Sequence, residues 1–258
     1  MKLSAYLKLF KFRYHLSFLL VVIGAYLFYD KPFYFLLPSL LRLYIVFNIL
    51  IYGGLYMLND IIDIENDRKH PQKKERPLAS NIISLREAFV FASICIVTGL
   101  ILSYIYFSIM IFSLLCLFIL VNIFYTNFAK KIPYVEIAFN AITHPMRLLL
   151  GISLTTTIIP VLFLGEVFLL ALSIATLRRS VELQTSEFEA RLVLRHYTGI
   201  SLFILQIMIG IFIILISIII YPQFLWWNTI IIIIYCLSFI GIYWLKLVLR
   251  FYQWLWLR

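Results

Sequence analysis

Charge is what this 258-residue chain has least of: 13% of its residues are Asp, Glu, Lys or Arg, against 64% that are hydrophobic, with a mean hydropathy of +1.01. A water-soluble domain carries about 25% charged residues, so an ordinary soluble globule is excluded. Glycine (9) and proline (8) are too sparse for a collagen-like or low-complexity chain. The three cysteines, Cys95, Cys116 and Cys236, lie inside apolar runs and form neither a disulfide framework nor a metal-binding spacing. Aspartate is scarcer still, since Asp30, Asp60, Asp63 and Asp67 are the only four. What remains is a polytopic membrane protein whose few polar residues carry the information.

Apolar runs of helix-spanning length occur near 15–29, 34–58, 86–106, 108–128, 135–153, 159–177, 198–220 and 226–248. They are long and continuous, unlike the roughly ten-residue alternating strands of an outer-membrane barrel. The expected class is all-α, a polytopic transmembrane helical bundle of eight to nine spans, treated as one domain over 1–258. Lys and Arg (22 together) exceed Asp and Glu (12), a formal charge of +10. Outside the spans these cations fall before span 1, between spans 2 and 3, 4 and 5, and 6 and 7, and after span 8, while the alternate connections hold only Lys31. That alternation is the positive-inside pattern. It predicts an inner-membrane protein with both termini in the cytoplasm, and no aromatic-basic interleaving suggests a nucleic-acid partner. No cleavage site follows the first apolar run. Two connections, 59–85 and 178–197, are long, both are expected on the cytoplasmic side, and loops of this kind are where function concentrates.

The first of these loops opens with Asn59-Asp60-Ile61-Ile62-Asp63-Ile64-Glu65-Asn66-Asp67. At 100° per residue, Asn59, Asp60, Asp63 and Asp67 share a helical arc of about 100°. Three carboxylates on one face repel unless a cation sits among them, and oxygen ligands with room for water and phosphate suit Mg²⁺. Downstream, Arg68, Lys73, Lys74 and Arg76, with His70, form a basic stretch ending Arg76-Pro77-Leu78-Ala79-Ser80. Beside an acidic metal site such cations suit a polyanion. The simpler readings are a solvated acidic helix end and a topological charge cluster.

The motif Asn59-Asp60-x-x-Asp63-x-x-x-Asp67, closing the second span and followed by Arg76-Pro77-Leu78-Ala79-Ser80, resembles the first aspartate-rich motif of the UbiA superfamily of intramembrane prenyltransferases. The resemblance implies a nine-span helical bundle with a central cavity open to the cytoplasm. It also implies Mg²⁺ as cofactor, metal roles for Asp60, Asp63 and Asp67 with Asn59 in support, and a bound diphosphate. Most of that superfamily has a second aspartate motif after span 6, whereas this chain has no aspartate beyond residue 67. In its place stand Arg178-Arg179-Ser180-Val181-Glu182-Leu183 and Arg191-Leu192-Val193-Leu194-Arg195-His196-Tyr197. This block resembles the decaprenyl-phosphate phosphoribosyltransferase branch, as do Asn122-x-x-Tyr125 and Arg147-x-x-x-Gly151.

The branch implies transfer of phosphoribosyl from phosphoribosyl diphosphate to a polyprenyl phosphate. Lys73 and Arg76 would neutralise the leaving group, Arg178 and Arg179 would place the lipid phosphate, and Glu182, Arg191 and Tyr125 would complete substrate binding. The alternatives are transfer of a prenyl group from a prenyl diphosphate to an aromatic or other acceptor, and a non-enzymatic transporter. Arg178 and Glu182 also have the spacing of an ordinary i,i+4 pair on a helix end. Arg147 lies inside an apolar run at a cost of at least about 2.5–3.5 kcal/mol, so it is expected to face the cavity or a partner, and His144-Pro145 suggests a kink beside it. The abundant Tyr and Phe residues are expected at the lipid face or in interfacial belts. Oligomeric state has no signature in the sequence.

Overall fold

A computed structural model describes residues 2–69, 73–184, 192–244 and 250, and among them every regular element is helical. Ten α-helices follow in order: α1 (Lys2–Leu9), α2 (Leu19–Leu27), α3 (Leu37–Leu43), α4 (Gly53–Ile62), α5 (Ile64–Lys69), α6 (Leu85–Tyr106), α7 (Ile109–Asn127), α8 (Val135–Ile152), α9 (Val161–Glu182) and α10 (Gly199–Trp244). Lipid supplies no hydrogen-bond partners, so a chain this apolar must satisfy its backbone internally, and helix is the way a single segment does so. That constraint also explains why the isoleucine-rich runs of α10 are helical despite the β-preference of branched side chains.

Among the described residues six helical segments are long and apolar enough to cross a bilayer: Leu37–Ile62, Leu85–Tyr106, Ile109–Lys131, Val161–Glu182, Gly199–Ile220 and Phe224–Trp244. They correspond to six of the eight expected spans. The other two segments are also helical. The first is short, an apolar stretch over Tyr14–Leu27. The second, α8, is 18 residues long but interrupted by Glu136, His144 and Arg147, and it continues as helix through Pro145. In the best apolar windows of α6 and α7 only 28% and 22% of residues are buried within the protein. Flanks so apolar and so exposed need a non-aqueous solvent to cover them.

Local chemistry sets several boundaries. Ser84 caps α6 by accepting from the Glu87 amide while the Glu87 carboxylate accepts from the Ser84 amide, a reciprocal capping box. The long α10 bends at Phe224 (φ −131°, ψ 30°), two residues after Pro222. Between α3 and α4, Tyr44–Tyr52 winds as a π-helix. Such wide turns are rare, concentrate at functional sites, and here the segment leads directly into the helix that carries Asn59 and Asp60.

The described chain divides into two compact units, one of residues 1–126 and 146–158, the other of 127–145 and 159–258. In the first, Phe47, Phe118, Leu43, Ile51, Ile111, Leu115 and Leu150 form the core. Phe47 and Phe118 are completely buried, so the expectation that aromatics face lipid fails at these positions. They pack edge to face at 4.9 Å, a geometry that favours the ring quadrupoles. In the second unit α9 packs along α10. Hydrogen bonds from Ser173 to Gln206 and from Gln206 to the Ser173 carbonyl tie that pair together, and Tyr235 donates to the Gln206 carbonyl across the bend within α10. Ser217 donates to the fully buried Glu166 in the same seam.

Within the first unit, α2 crosses the end of α8 with almost no space between backbones. A Cβ on Gly151 would collide with the Val21 carbonyl oxygen, and one on Gly24 with the Leu148 carbonyl oxygen. Small residues at such crossings let helices touch where lipid offers no hydrophobic drive to associate. Gly151→Ala is therefore expected to lower stability by about 1–3 kcal/mol, read as a fall in Tm in detergent, whereas Gly165→Ala, which meets nothing within 4 Å, should leave Tm unchanged or raise it.

Candidate functional site

Helix α4 delivers the acidic residues to the end of the second apolar span, and the helix does not run on evenly through them. Asp63 takes φ −89° and ψ 3°, ending α4 and setting off the short α5, although the Asp63 and Asp67 amides still bond to the Asn59 and Asp63 carbonyls. The expected arc is therefore split. Asp60 and Asp67 turn inward and are 3% and 5% exposed. Asp63, half-buried, accepts from the Asn59 amide at 3.2 Å, and Asn59 in turn accepts from Thr126 at 3.4 Å.

The cations that must accompany buried carboxylates are present. Arg76 Nη1 lies 2.7 Å from Asp67 Oδ2 and 3.1 Å from Asp60 Oδ1, bridging the two. Lys11 Nζ reaches the same Asp60 oxygen at 2.5 Å. Arg76 is brought there by a turn over 76–80, in which the Ser80 amide and hydroxyl both bond to the Arg76 carbonyl. Asp67 remains raised above the ordinary carboxylate range, because burial outweighs the favourable Arg76 charge and the Asp60 charge adds to the penalty. A cavity of about 350 Å³ opens beside these groups, lined by Lys8, Lys11, Tyr14, Asp60, Glu75 and Arg76.

Lys11 belongs to this cluster although the sequence does not single it out, since it stands among the cations before the first span. It lies 49 positions from Asp60, and no local spacing links the two. Its backbone is left-handed, φ 49° and ψ 53°, which costs a residue with a Cβ of order 1–2 kcal/mol. Strain of this kind persists where surrounding contacts enforce it, and the Asp60 ion pair together with the Tyr56 ring, 5.0 Å from the ammonium, are such contacts.

Among the described residues no three His, Cys, Asp or Glu side chains gather at metal-binding spacing. The donor set nonetheless suits Mg²⁺, which is commonly held by one or two carboxylates together with water and substrate phosphates. Asp60 and Asp67 converge on a single point of positive charge, now the Arg76 guanidinium. A cationic nitrogen shared by two buried carboxylates marks where a hard cation can stand.

The other expected site residues fall elsewhere. Lys73 begins the short 3₁₀ turn Lys73–Glu75, three residues before Arg76, and contributes a favourable charge to Asp67. Arg147, 3% exposed, lies between the rings of Tyr52 and Phe118 at 4.8 and 5.0 Å, a cation–π arrangement. Tyr125 sits near the end of α7, half-buried. His70 and Arg191 lie outside the described residues.

Arg178, Arg179 and Glu182 belong to the second unit, at the end of α9. Arg179 Nε and Nη2 grip the two oxygens of Glu136, each at 2.5 Å, and Nη1 reaches Glu182 at 2.5 Å. Arg178 Nε bonds the other Glu182 oxygen at 2.9 Å, the i,i+4 pair that its spacing allowed. Tyr197 donates to Glu136 and accepts from the Tyr134 amide, with burial pushing its phenol well up. Arg179, Glu136 and Glu182 are 4%, 1% and 0% exposed. Arg179 is thus committed to carboxylates of the protein itself, while the partly exposed Arg178 head has more room for an outside anion. Glu136 escaped the sequence reading although a signal existed, an acid at the start of an apolar helix. Breaking a buried network of this sort by removing one partner costs about 3–5 kcal/mol. Arg179→Met should lower Tm in detergent accordingly, and Tyr197→Phe by only the about 0.5–1.5 kcal/mol of one hydrogen bond.

Comparison with known proteins follows this geometry. Residues 16–253 match the UbiA prenyltransferase family. Digeranylgeranylglyceryl phosphate synthase of Methanocaldococcus jannaschii is 38% identical over 102 residues, 40% of this chain and 35% of that protein. Protoheme IX farnesyltransferase of Baumannia cicadellinicola is 36% identical over 106 residues, 38% of this chain and 36% of that protein. The matched stretch thus spans about a third of each relative's own length. In fold, a UbiA homologue from Archaeoglobus fulgidus, solved with DMAPP and Mg²⁺, superimposes with a TM-score of 0.76 at 17% identity, over 98% of this chain and 95% of that one.

Proposed function

This chain belongs to the UbiA prenyltransferase family and is an integral membrane protein, and we propose that it is a Mg²⁺-dependent transferase that moves a prenyl group from a prenyl diphosphate to an acceptor. The observation that carries the reading is the convergence of buried Asp60 and Asp67 on one cation beside a cavity lined by Lys8, Lys11 and Arg76. Carboxylates for a metal and cations for an anion stand side by side, which is what a diphosphate leaving group requires. Support comes from the relatives named as prenyl-transferring enzymes and from the homologue solved with DMAPP and Mg²⁺.

In this reading Asp60 and Asp67 hold Mg²⁺, with Asp63, steadied by Asn59, completing its surroundings. When bound, the metal supplies Lewis-acid stabilisation of charge on the leaving diphosphate. Arg76, with Lys73 nearby, meets the negative charge that grows as the prenyl C1–O bond breaks and its electron pair leaves with diphosphate. The acceptor nucleophile then forms the new bond to C1 and gives up its proton. The aromatic side chains that line the cavity beside these groups are Phe12 and Tyr14. In this reading the acidic loop faces the cytoplasm, which the positive-inside pattern supports.

A second reading keeps the same metal site and changes the donor: phosphoribosyl diphosphate, with a polyprenyl phosphate attacking the ribose C1. It is favoured by the second polar segment, where Arg178, Arg179, Glu182 and Arg191 replace the second aspartate motif and no aspartate occurs after residue 67. There Arg179 is engaged by Glu136 and Glu182, and Arg178, paired with Glu182, keeps a partly exposed head.

Purified protein in lipid with Mg²⁺ is incubated separately with labelled geranyl or geranylgeranyl diphosphate and lipid or aromatic acceptors, and with labelled phosphoribosyl diphosphate and polyprenyl phosphate. Label in product only from the prenyl donors is the expected result; label only from phosphoribosyl diphosphate selects the second reading. Asp60→Ala and Asp67→Ala should each reduce turnover at least about a hundredfold, and chelation of Mg²⁺ should abolish it. Full activity in either variant overturns the metal site.

A further inference from the structure

Two cations share one oxygen of Asp60, and their situations differ. Arg76 is also held by Asp67, whereas among the described residues Lys11 forms an ion pair with Asp60 only. The Lys11 side chain is 13% exposed, so it has little water to fall back on. It lines the same cavity as Lys8 and Arg76, and its left-handed backbone stands between α1 and the 3₁₀ turn Phe12–Phe18.

We propose that Lys11 is a positioning residue that changes partner as substrate binds, neutralising Asp60 in the ligand-free protein and passing to the diphosphate once Asp60 is given over to the divalent cation. The inference rests on the reading of Asp60 as a metal ligand. An ammonium 2.5 Å from Asp60 Oδ1 occupies ground that a metal on that oxygen needs, since two cations at that separation repel strongly in a buried site. With no anion present, metal binding therefore leaves Lys11 as an unpaired, largely buried charge facing Lys8 and Arg76. A diphosphate in the cavity removes that penalty by giving Lys11 a new partner. Metal and diphosphate consequently favour each other's binding through Lys11, and the coupling is reciprocal. Tyr56, whose ring faces the ammonium at 5.0 Å, supplies the surface along which the head can shift without losing all stabilisation.

The test measures binding, apart from turnover, on the whole protein in nanodiscs. Equilibrium dialysis gives Mn²⁺ affinity with no anion present, and the affinity for radiolabelled inorganic diphosphate at saturating Mn²⁺. Lys11→Met is expected to bind Mn²⁺ about fivefold or more tightly and diphosphate about tenfold or more weakly, within the usual range of coupling between sites. Lys11→Gln, which keeps a polar partner for Asp60, should move both in the same directions by less and serves if the Met variant fails to fold. Lys11→Arg, which keeps the charge, should retain the coupling. Unchanged or weaker Mn²⁺ binding in both neutral variants overturns the proposal and leaves Lys11 as a fold-holding ion pair. Asp60→Asn separates the two ideas: if it binds Mn²⁺ like the unaltered protein, the metal-ligand reading itself fails. If it loses Mn²⁺ while the Lys11 variants are unaltered, only the exchange fails.

Discussion

Burying a carboxylate at the end of a membrane helix is costly unless a cation goes with it, and the first unit is built around meeting that cost twice. Asp60 and Asp67 are both inside, seven residues apart on either side of the break at Asp63, and one arginine bridges them. Several features follow from this requirement. The chain after α5 must turn back so that Arg76 can reach both acids, which the 76–80 turn accomplishes. The segment after α1 must hold a left-handed residue so that Lys11 reaches the remaining oxygen. The result is a balanced pair of acids and bases, and the same balance makes the site receptive to a metal and an anion arriving together.

The second unit meets the same requirement with a closed network. Glu136 and Glu182 enclose Arg179, Arg178 completes Glu182, and Tyr197 closes the ring from the segment after 191. Two acids and two bases cancel, and three of the four are almost wholly buried. Such a network fixes where the end of α9, the start of α8 and the segment that ends in Tyr197 meet. The two units differ in this: among the described residues Lys11 forms an ion pair with Asp60 only, whereas Arg179 is gripped through three nitrogens.

Much of this was legible in the residues. Hydropathy located the helices, because lipid forces apolar runs into helix, and the scarcity of aspartate singled out 59–67 as a site. The requirement for a cation among those acids was also readable, with Mg²⁺ expected there and Arg76 expected at the leaving group; that Arg76 itself bridges Asp60 and Asp67 was not. The break at Asp63 was not, since a uniform 100° per residue cannot show where a helix changes direction. Lys11 was hidden by distance along the chain and by its membership in a charge pattern that has its own topological cause. The aromatic seat of Arg147 on Tyr52 and Phe118 was half-readable: the need for a partner could be argued, but which rings supply it depends on packing. For Arg178 and Glu182, the plain i,i+4 pairing describes the contact that forms.

The central claim is that Asp60 and Asp67 jointly hold a divalent cation in place of Arg76. Determining the structure with Mn²⁺ and inorganic diphosphate, and locating the metal by anomalous scattering, tests it most directly. The account predicts an anomalous peak within bonding distance of an oxygen from each carboxylate, with the Arg76 guanidinium moved onto the diphosphate. A structure in which Mn²⁺ binds elsewhere while Arg76 still bridges the two aspartates would contradict it.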